Sequence, residues 1–362
     1  MKKMESIIEI LITGGAGFVG SNLALQIKEK FPDYNVTVFD NLKRRGSEFQ
    51  LHHLLAKGVV FNHGDIRIRE DLLSLDKKFD LMIEASAEPS VHAGTDGSPD
   101  YLIQTNLLGT VNCLEFARKY CGGMIFLSTS RVYSIGDLVN IPLKTEGSRF
   151  ILENTDDILG ISEKGISEEF NLLNYRSLYG ATKLASELLI QEYAQTYGLN
   201  AVINRCGVIA GPGQWGKVDQ GVFTLWVANH FFKKNLNYTG FGGQGLQVRD
   251  LLHPTDLFEA ITCQWDKLSE QRGNVFNLGG GNSCSTSLLE LTQICEKVTG
   301  NRIDISSKPE TAANDIPWYV TDYSKFNQVY NWSPKKNVTN IVEDIYSWLK
   351  SNEAEVSKIF NR

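Results

Sequence analysis

Ile7 to Ile12 is a short run rich in branched residues, and Gly14-Gly15-Ala16-Gly17-Phe18-Val19-Gly20 follows it almost at once. From Ser21 to Lys28 the apolar residues then recur with helical spacing. Strand, tight turn and helix in that order constrain the fold more than any other feature of the chain. The glycines allow the tight turn, let a pyrophosphate approach the main chain, and seat the helix close to the sheet. Free N–H groups at the helix start attract the anion. Glycine-rich turns after strands are common, so context decides. The next apolar run, Val36 to Phe39, ends at Asp40, twenty residues past Gly20. An acid there hydrogen-bonds a ribose 2′-hydroxyl and repels a 2′-phosphate, which points to NAD rather than NADP. Lys43, Arg44 and Arg45 read as a solvated loop or as neighbours of that ribose.

Further apolar runs follow at Val59 to Phe61, Leu81 to Ile83, Met124 to Leu127 and Asn200 to Asn204, with helical patterning between the later ones, as from Leu107 to Tyr120. Continuous apolar strands alternating with helices predict an α/β fold with a Rossmann-type, doubly wound parallel sheet. After Gly211-Pro212-Gly213 the texture changes to aromatic and glycine-rich loops. The expectation is a first domain over 1–205, with a return segment at about 250–264, and a smaller C-terminal α/β substrate lobe over 206–350.

Composition narrows the function. At 362 residues with 42% hydrophobic and 22% charged residues, neither disorder nor a fibrous repeat fits. A formal net charge of −6 gives no reason to expect a nucleic-acid or anionic-membrane partner. No run of about 18 apolar residues suggests a membrane span, and the N-terminal run breaks too soon for a signal sequence, so a cytoplasmic location is expected. The six cysteines form no C-x-x-C pair, and His52, His53, His63, His92 and His230 have no metal spacing, so no metal site is expected.

Tyr179 and Lys183 lie four apart in a helical pattern and so share a helix face. An ammonium beside a tyrosine favours the phenolate, which can take a hydroxyl proton as hydride leaves. Alone, such a pair is most often a surface coincidence. Here a dinucleotide-binding pattern precedes it, and Ser128-Thr129-Ser130 ends a predicted central strand, where doubly wound sheets place their sites.

With these residues in place, the chain resembles the extended short-chain dehydrogenase/reductases, specifically the nucleotide-sugar epimerases and dehydratases. Also matching are Gly64-Asp65-Ile66, Asn106, Gly211-Pro212-Gly213, Arg249-Asp250 and Asn277-Leu278-Gly279-Gly280. The resemblance implies a Thr129, Tyr179, Lys183 triad and a C-terminal lobe for a nucleoside-diphosphate sugar. It implies NAD held by Gly14, Gly17, Phe18, Val19, Asp40, Asn41, Ala85 and Ser128 together with Tyr179 and Lys183, with Asp65 and Ile66 beside the adenine. It sets Arg249 at the substrate diphosphate and Ser130, Arg131, Arg149, Asp219 and Gln220 around the sugar nucleotide. A homodimer or homotetramer is implied too, through the Tyr179 helix and its neighbour at Leu107 to Tyr120.

Two stretches depart from the family pattern. Where many members have His-x-Ala-Ala, this chain has Glu84-Ala85-Ser86-Ala87, and the segment before Tyr179 lacks the usual proline. The dehydratases carry Asp-Glu directly after the threonine, and this chain has Ser130-Arg131. A guanidinium is no general base at neutral pH. Epimerisation by transient oxidation is therefore favoured over dehydration. The long connection from Tyr133 to Tyr179 and the Asp219-Gln220-Gly221-Val222 stretch look like the CDP-tyvelose (CDP-paratose) 2-epimerases. A UDP-sugar 4-epimerase is the alternative, and a non-catalytic NAD(H)-binding protein is the reading from a different class.

Overall fold

The computed structural model describes residues 7–95, 97–155, 157–216 and 221–360. Seven parallel strands form the main sheet: β1 (Glu9–Thr13), β2 (Asn35–Asp40), β3 (Val60–His63), β4 (Leu81–Glu84), β5 (Met124–Thr129), β6 (Ala201–Cys206) and β7 (Arg272–Leu278). Their spatial order is β7-β6-β5-β4-β1-β2-β3. The order reverses between β1 and β4, and the carboxyl ends there leave the crevice in which doubly wound sheets bind ligands. The central strands read as unbroken apolar runs because both faces are covered. Ile10, Leu11 and Ile12 of β1 and all of β4 and β5 are buried.

Helices α1 (Phe18–Lys30), α2 (Gly109–Tyr120), α3 (Leu178–Tyr197) and α4 (Pro254–Asp266) pack around this sheet. On α1, Leu23, Ala24 and Ile27 face the core. Ser177 caps α3 by accepting from the Gly180 N–H, and Gly198 in the left-handed conformation ends it.

The second half has its own core, in which helices Val222–Phe231, Leu288–Thr299 and Val338–Ser351 pack together through Trp226, Leu291 and Ile345. Its small sheet centres on the strand Val248–Leu252, flanked by Val208–Ile209 and Ser285–Ser287. The return to the first half is longer than the expected 250–264. α4 packs against α1, but the chain also supplies β7 and then sends Phe326, Tyr330 and Trp332 into the first core. β7 was hard to read because Asn274 and Asn277 interrupt its apolar residues, as befits an edge strand. No helix among the described residues is long and apolar enough to cross a membrane.

Candidate active site

The β1–α1 turn is built for close approach. Gly14 has φ +66°, and a Cβ there would lie 2.8 Å from the Ala85 carbonyl carbon and the Ser86 Cα. The Gly17 N–H donates to the Gly14 carbonyl at 3.1 Å, and no side chain caps α1, whose first residues are Phe18 and Val19. A cleft of about 330 Å³ opens beside this turn. Gly14, Gly17, Asp40 and Asn41 line one part of it, and Asp65, Ile66 and Ala85 another. Asp40 accepts from the Ala16 N–H at 3.1 Å and the Leu42 N–H at 2.8 Å. Burial raises its carboxyl above the usual range, and these amides oppose the rise. Burial works the same way on Asp65, but the Arg67 guanidinium and the Asn41 amide prevail and hold its carboxyl down to about 2. Sequence reasoning missed Tyr101, which lines the cleft with Lys43 Nζ 3.1 Å and Arg67 Cζ 4.7 Å from its ring centre. It also left Asn106 without a role. This buried amide lies on a π-helical turn, Gln104–Leu108, and clamps the cleft wall by bonding both the N–H (2.8 Å) and the carbonyl (3.0 Å) of Glu88.

At the carboxyl end of β5, Thr129 meets Tyr179 of α3. Burial pushes the Tyr179 hydroxyl up to about 12, and a hydrogen bond with the Thr129 side chain opposes this. One turn along α3, Lys183 is buried with its Nζ 3.9 Å from the Phe126 ring centre and 3.9 Å from Glu84 Oε2. The Ser128 hydroxyl donates to Glu187, which also holds Arg205 at 2.8 Å, so it anchors β5 to α3. Gly180 makes the junction possible. A Cβ there would lie 2.0 Å from the Arg131 carbonyl oxygen, so only glycine lets the Ser130–Val132 turn rest on α3.

On the lobe side, the buried Arg249 guanidinium donates to Asp315 at 3.1 Å. Burial lowers Arg249 to about 10, Asp315 works against that and Arg131 adds to it, while Arg131 itself donates to the Asn314 carbonyl at 3.3 Å. The charge of Arg131 also reaches Tyr179. Arg149 reaches the neighbouring strand, where its partner Ser285 pairs with Asp250. Its Nε donates to Glu290 at 2.7 Å and its Nη1 to the Ser285 hydroxyl at 3.0 Å, which clips the hairpin Leu143–Glu146 and Arg149–Leu152 to the lobe. Asp219 and Gln220 lie outside the described residues.

The profile of the NAD dependent epimerase/dehydratase family matches residues 10–279. This chain belongs to that family. It is 32% identical over 353 residues to the CDP-paratose 2-epimerase of Salmonella typhi, across 95% of this chain and 100% of the relative. A bifunctional UDP-glucose 4-epimerase and UDP-xylose 4-epimerase of Arabidopsis thaliana is 26% identical, across 96% of this chain and 98% of its own. Among solved structures, the dTDP-glucose 4,6-dehydratase of Bacillus anthracis in complex with NAD superposes with a TM-score of 0.75 at 25% identity, over 97% of this chain and 99% of the other. The family is NAD-dependent, and the residues present fit that cofactor. The glycine turn leaves room that a Cβ would fill, the helix start is uncapped, and a carboxylate ends β2.

Proposed function

We propose that this chain is a nucleotide-sugar 2-epimerase acting on a CDP-hexose of the paratose/tyvelose type. The observation that carries the reading is the pairing of Tyr179 and Thr129 with Arg131, whose charge reaches the tyrosine at the position where dehydration needs a carboxylate. The full-length likeness to the Salmonella enzyme supports the same choice.

NAD held in the cleft lined by Gly14, Gly17, Asp40 and Asn41 would supply the reversible hydride chemistry. The protein does the rest. Thr129 and Tyr179 hold the sugar hydroxyl, Tyr179 takes its proton, and Lys183 favours the phenolate by its charge. Arg249 and Arg131 hold the substrate diphosphate as the fixed end. The oxidised ring can then turn about that end and present its other face for reduction, with Tyr179 returning the proton to the carbonyl oxygen. Asp40 is the ligand of the adenosine ribose, and Asp65 and Ile66 border the adenine. Asn41, Ala85, Ser128, Phe18 and Val19 complete the cofactor contacts through backbone or side chain, and Ser130 borders the sugar. The protein works as a cytoplasmic homodimer built on α2 and α3; α3 carries exposed Leu188 and Tyr197, and exposed Leu108 precedes α2.

The test is turnover of a panel of CDP- and UDP-sugars in D₂O, read by NMR. Inversion at C2 of a CDP-sugar with no deuterium at the inverted carbon is the expected result. Deuterium there means deprotonation and reprotonation instead of hydride return. Inversion at C4 of a UDP-sugar puts the 4-epimerase reading in its place.

A further inference from the structure

Glu84 ends β4 directly behind the cleft wall formed by Ala85 and Ser86, and it is fully buried. One carboxylate oxygen accepts the Ser86 N–H at 3.0 Å. The other, Oε2, has no hydrogen-bond partner. What it faces is Lys183 Nζ at 3.9 Å, and the two side chains are only 0% and 2% exposed. An unpartnered carboxylate oxygen and a desolvated ammonium thus meet just beneath the cleft.

The surroundings leave Lys183 with no other free anion. Glu187 lies one turn along the same helix, but Arg205 and Ser128 already engage it. The thiols of Cys113 on α2 and Cys206 on β6 are both pushed up by burial and are neutral at physiological pH. From β5 comes only the Phe126 ring. Around Glu84 the Ser86 and Thr13 hydroxyls favour its charge after Lys183, and Cys113 is neutral. Burial drives Lys183 toward its neutral amine, and Glu84 is the largest influence against that. A neutral amine does nothing to favour a phenolate at Tyr179.

We propose that Glu84 is a positioning residue that acts through Lys183: its unpartnered oxygen faces the buried ammonium and keeps it charged on the helix that also carries Tyr179. The inference rests on the roles given above to Tyr179 and Lys183. It assigns a purpose to the Glu84-Ala85-Ser86-Ala87 stretch in which this chain departs from the family pattern.

Glu84→Gln keeps the shape and removes the charge. Loss of charge on Lys183 moves the acid limb of the kcat–pH profile up, while loss of Glu84's own charge, which itself pushes Tyr179 up, works the other way; the net shift should be upward by less than about one pH unit, under about a tenfold loss of rate on that limb. In a Lys183→Met background the same change should leave the rate within about twofold, because residues that act as a unit are non-additive. A readout independent of turnover is the melting temperature of the cofactor-free chain. Glu84→Gln should lower it in the native background and raise it beside Lys183→Met, where an uncompensated buried carboxylate is removed. In the unsubstituted protein, the ¹⁵N signal of Lys183 should be that of an ammonium at pH 7. An unmoved pH profile, equal rate losses in both backgrounds, or a neutral Lys183 amine at pH 7 overturns the proposal. Native turnover in Lys183→Met alone would instead remove the catalytic reading on which it stands.

Discussion

At the residue scale, the site sets two hydroxyl-bearing side chains against the cost of burial. Tyr179 sits in a place that pushes its hydroxyl up to about 12, so proton transfer depends on the charge nearby. Tyr179→Phe should cut turnover by about 100- to 10,000-fold, the usual worth of a positioned acid or base, with the fold intact by circular dichroism. Near-native turnover removes it as the base. Asp65 offers a pH test on the cofactor side. Its folded-state carboxyl is held at about 2 against an ordinary 3.8, so its contribution is complete above about pH 5 and is lost as pH falls through the range from about 4 to about 2. Asp65→Asn should cost about 2 kcal/mol in urea unfolding at pH 7, and the gap to the native protein should narrow at pH 3. A gap that does not change with pH assigns the loss to packing.

At the scale of elements, helix α3 and the Ser130–Val132 turn form one piece. With a Cβ at Gly180 falling 2.0 Å from the Arg131 carbonyl oxygen, Gly180→Ala should destabilise by about 2–4 kcal/mol and disturb Thr129 as well. An unchanged melting temperature contradicts this. The hairpin at Arg149 gives the opposite kind of prediction. Because its guanidinium is bound to Glu290 and Ser285, Arg149→Met should lower the melting temperature while leaving KM within about twofold. A large rise in KM restores Arg149 as a substrate ligand. The sequence made the β1–α1 turn, Asp40 and the Tyr179–Lys183 pair legible because each depends on spacing within one element or between neighbours. Glu84 stood out only as a departure with no role, and Tyr101 and Glu187 stayed silent, because each takes its meaning from a partner 99, 58 or 18 residues away, as in Glu84–Lys183, Lys43–Tyr101 and Glu187–Arg205. Those distances close only when the sheet forms. Strand β7 was missed for a related reason, since an edge strand with two asparagines lacks the unbroken apolar run that marked the inner strands.

At the scale of the whole molecule, the exposed apolar side chains on α3 carry a test of assembly. Leu188 is 57% exposed and Tyr197 57%, and a second copy packed on α2 and α3 would cover them. If the proposed dimer forms there, Leu188→Glu should give a monomer in sedimentation analysis; a native protein that sediments as a monomer at micromolar concentration contradicts the assembly itself. A last consequence comes from the path of the chain between the two cores. It passes from Cys206 to Ala210, from Leu251 to Leu252, from Leu278 to Cys284, from Cys295 to Phe326 and from Trp332 to Val338. Five crossings tie the two cores together along the chain. They also mean that no single genetic crossover can graft a lobe from one relative onto the cofactor half of another. New substrate ranges in such a scaffold must then arise by point changes within the lobe, with the halves inherited together.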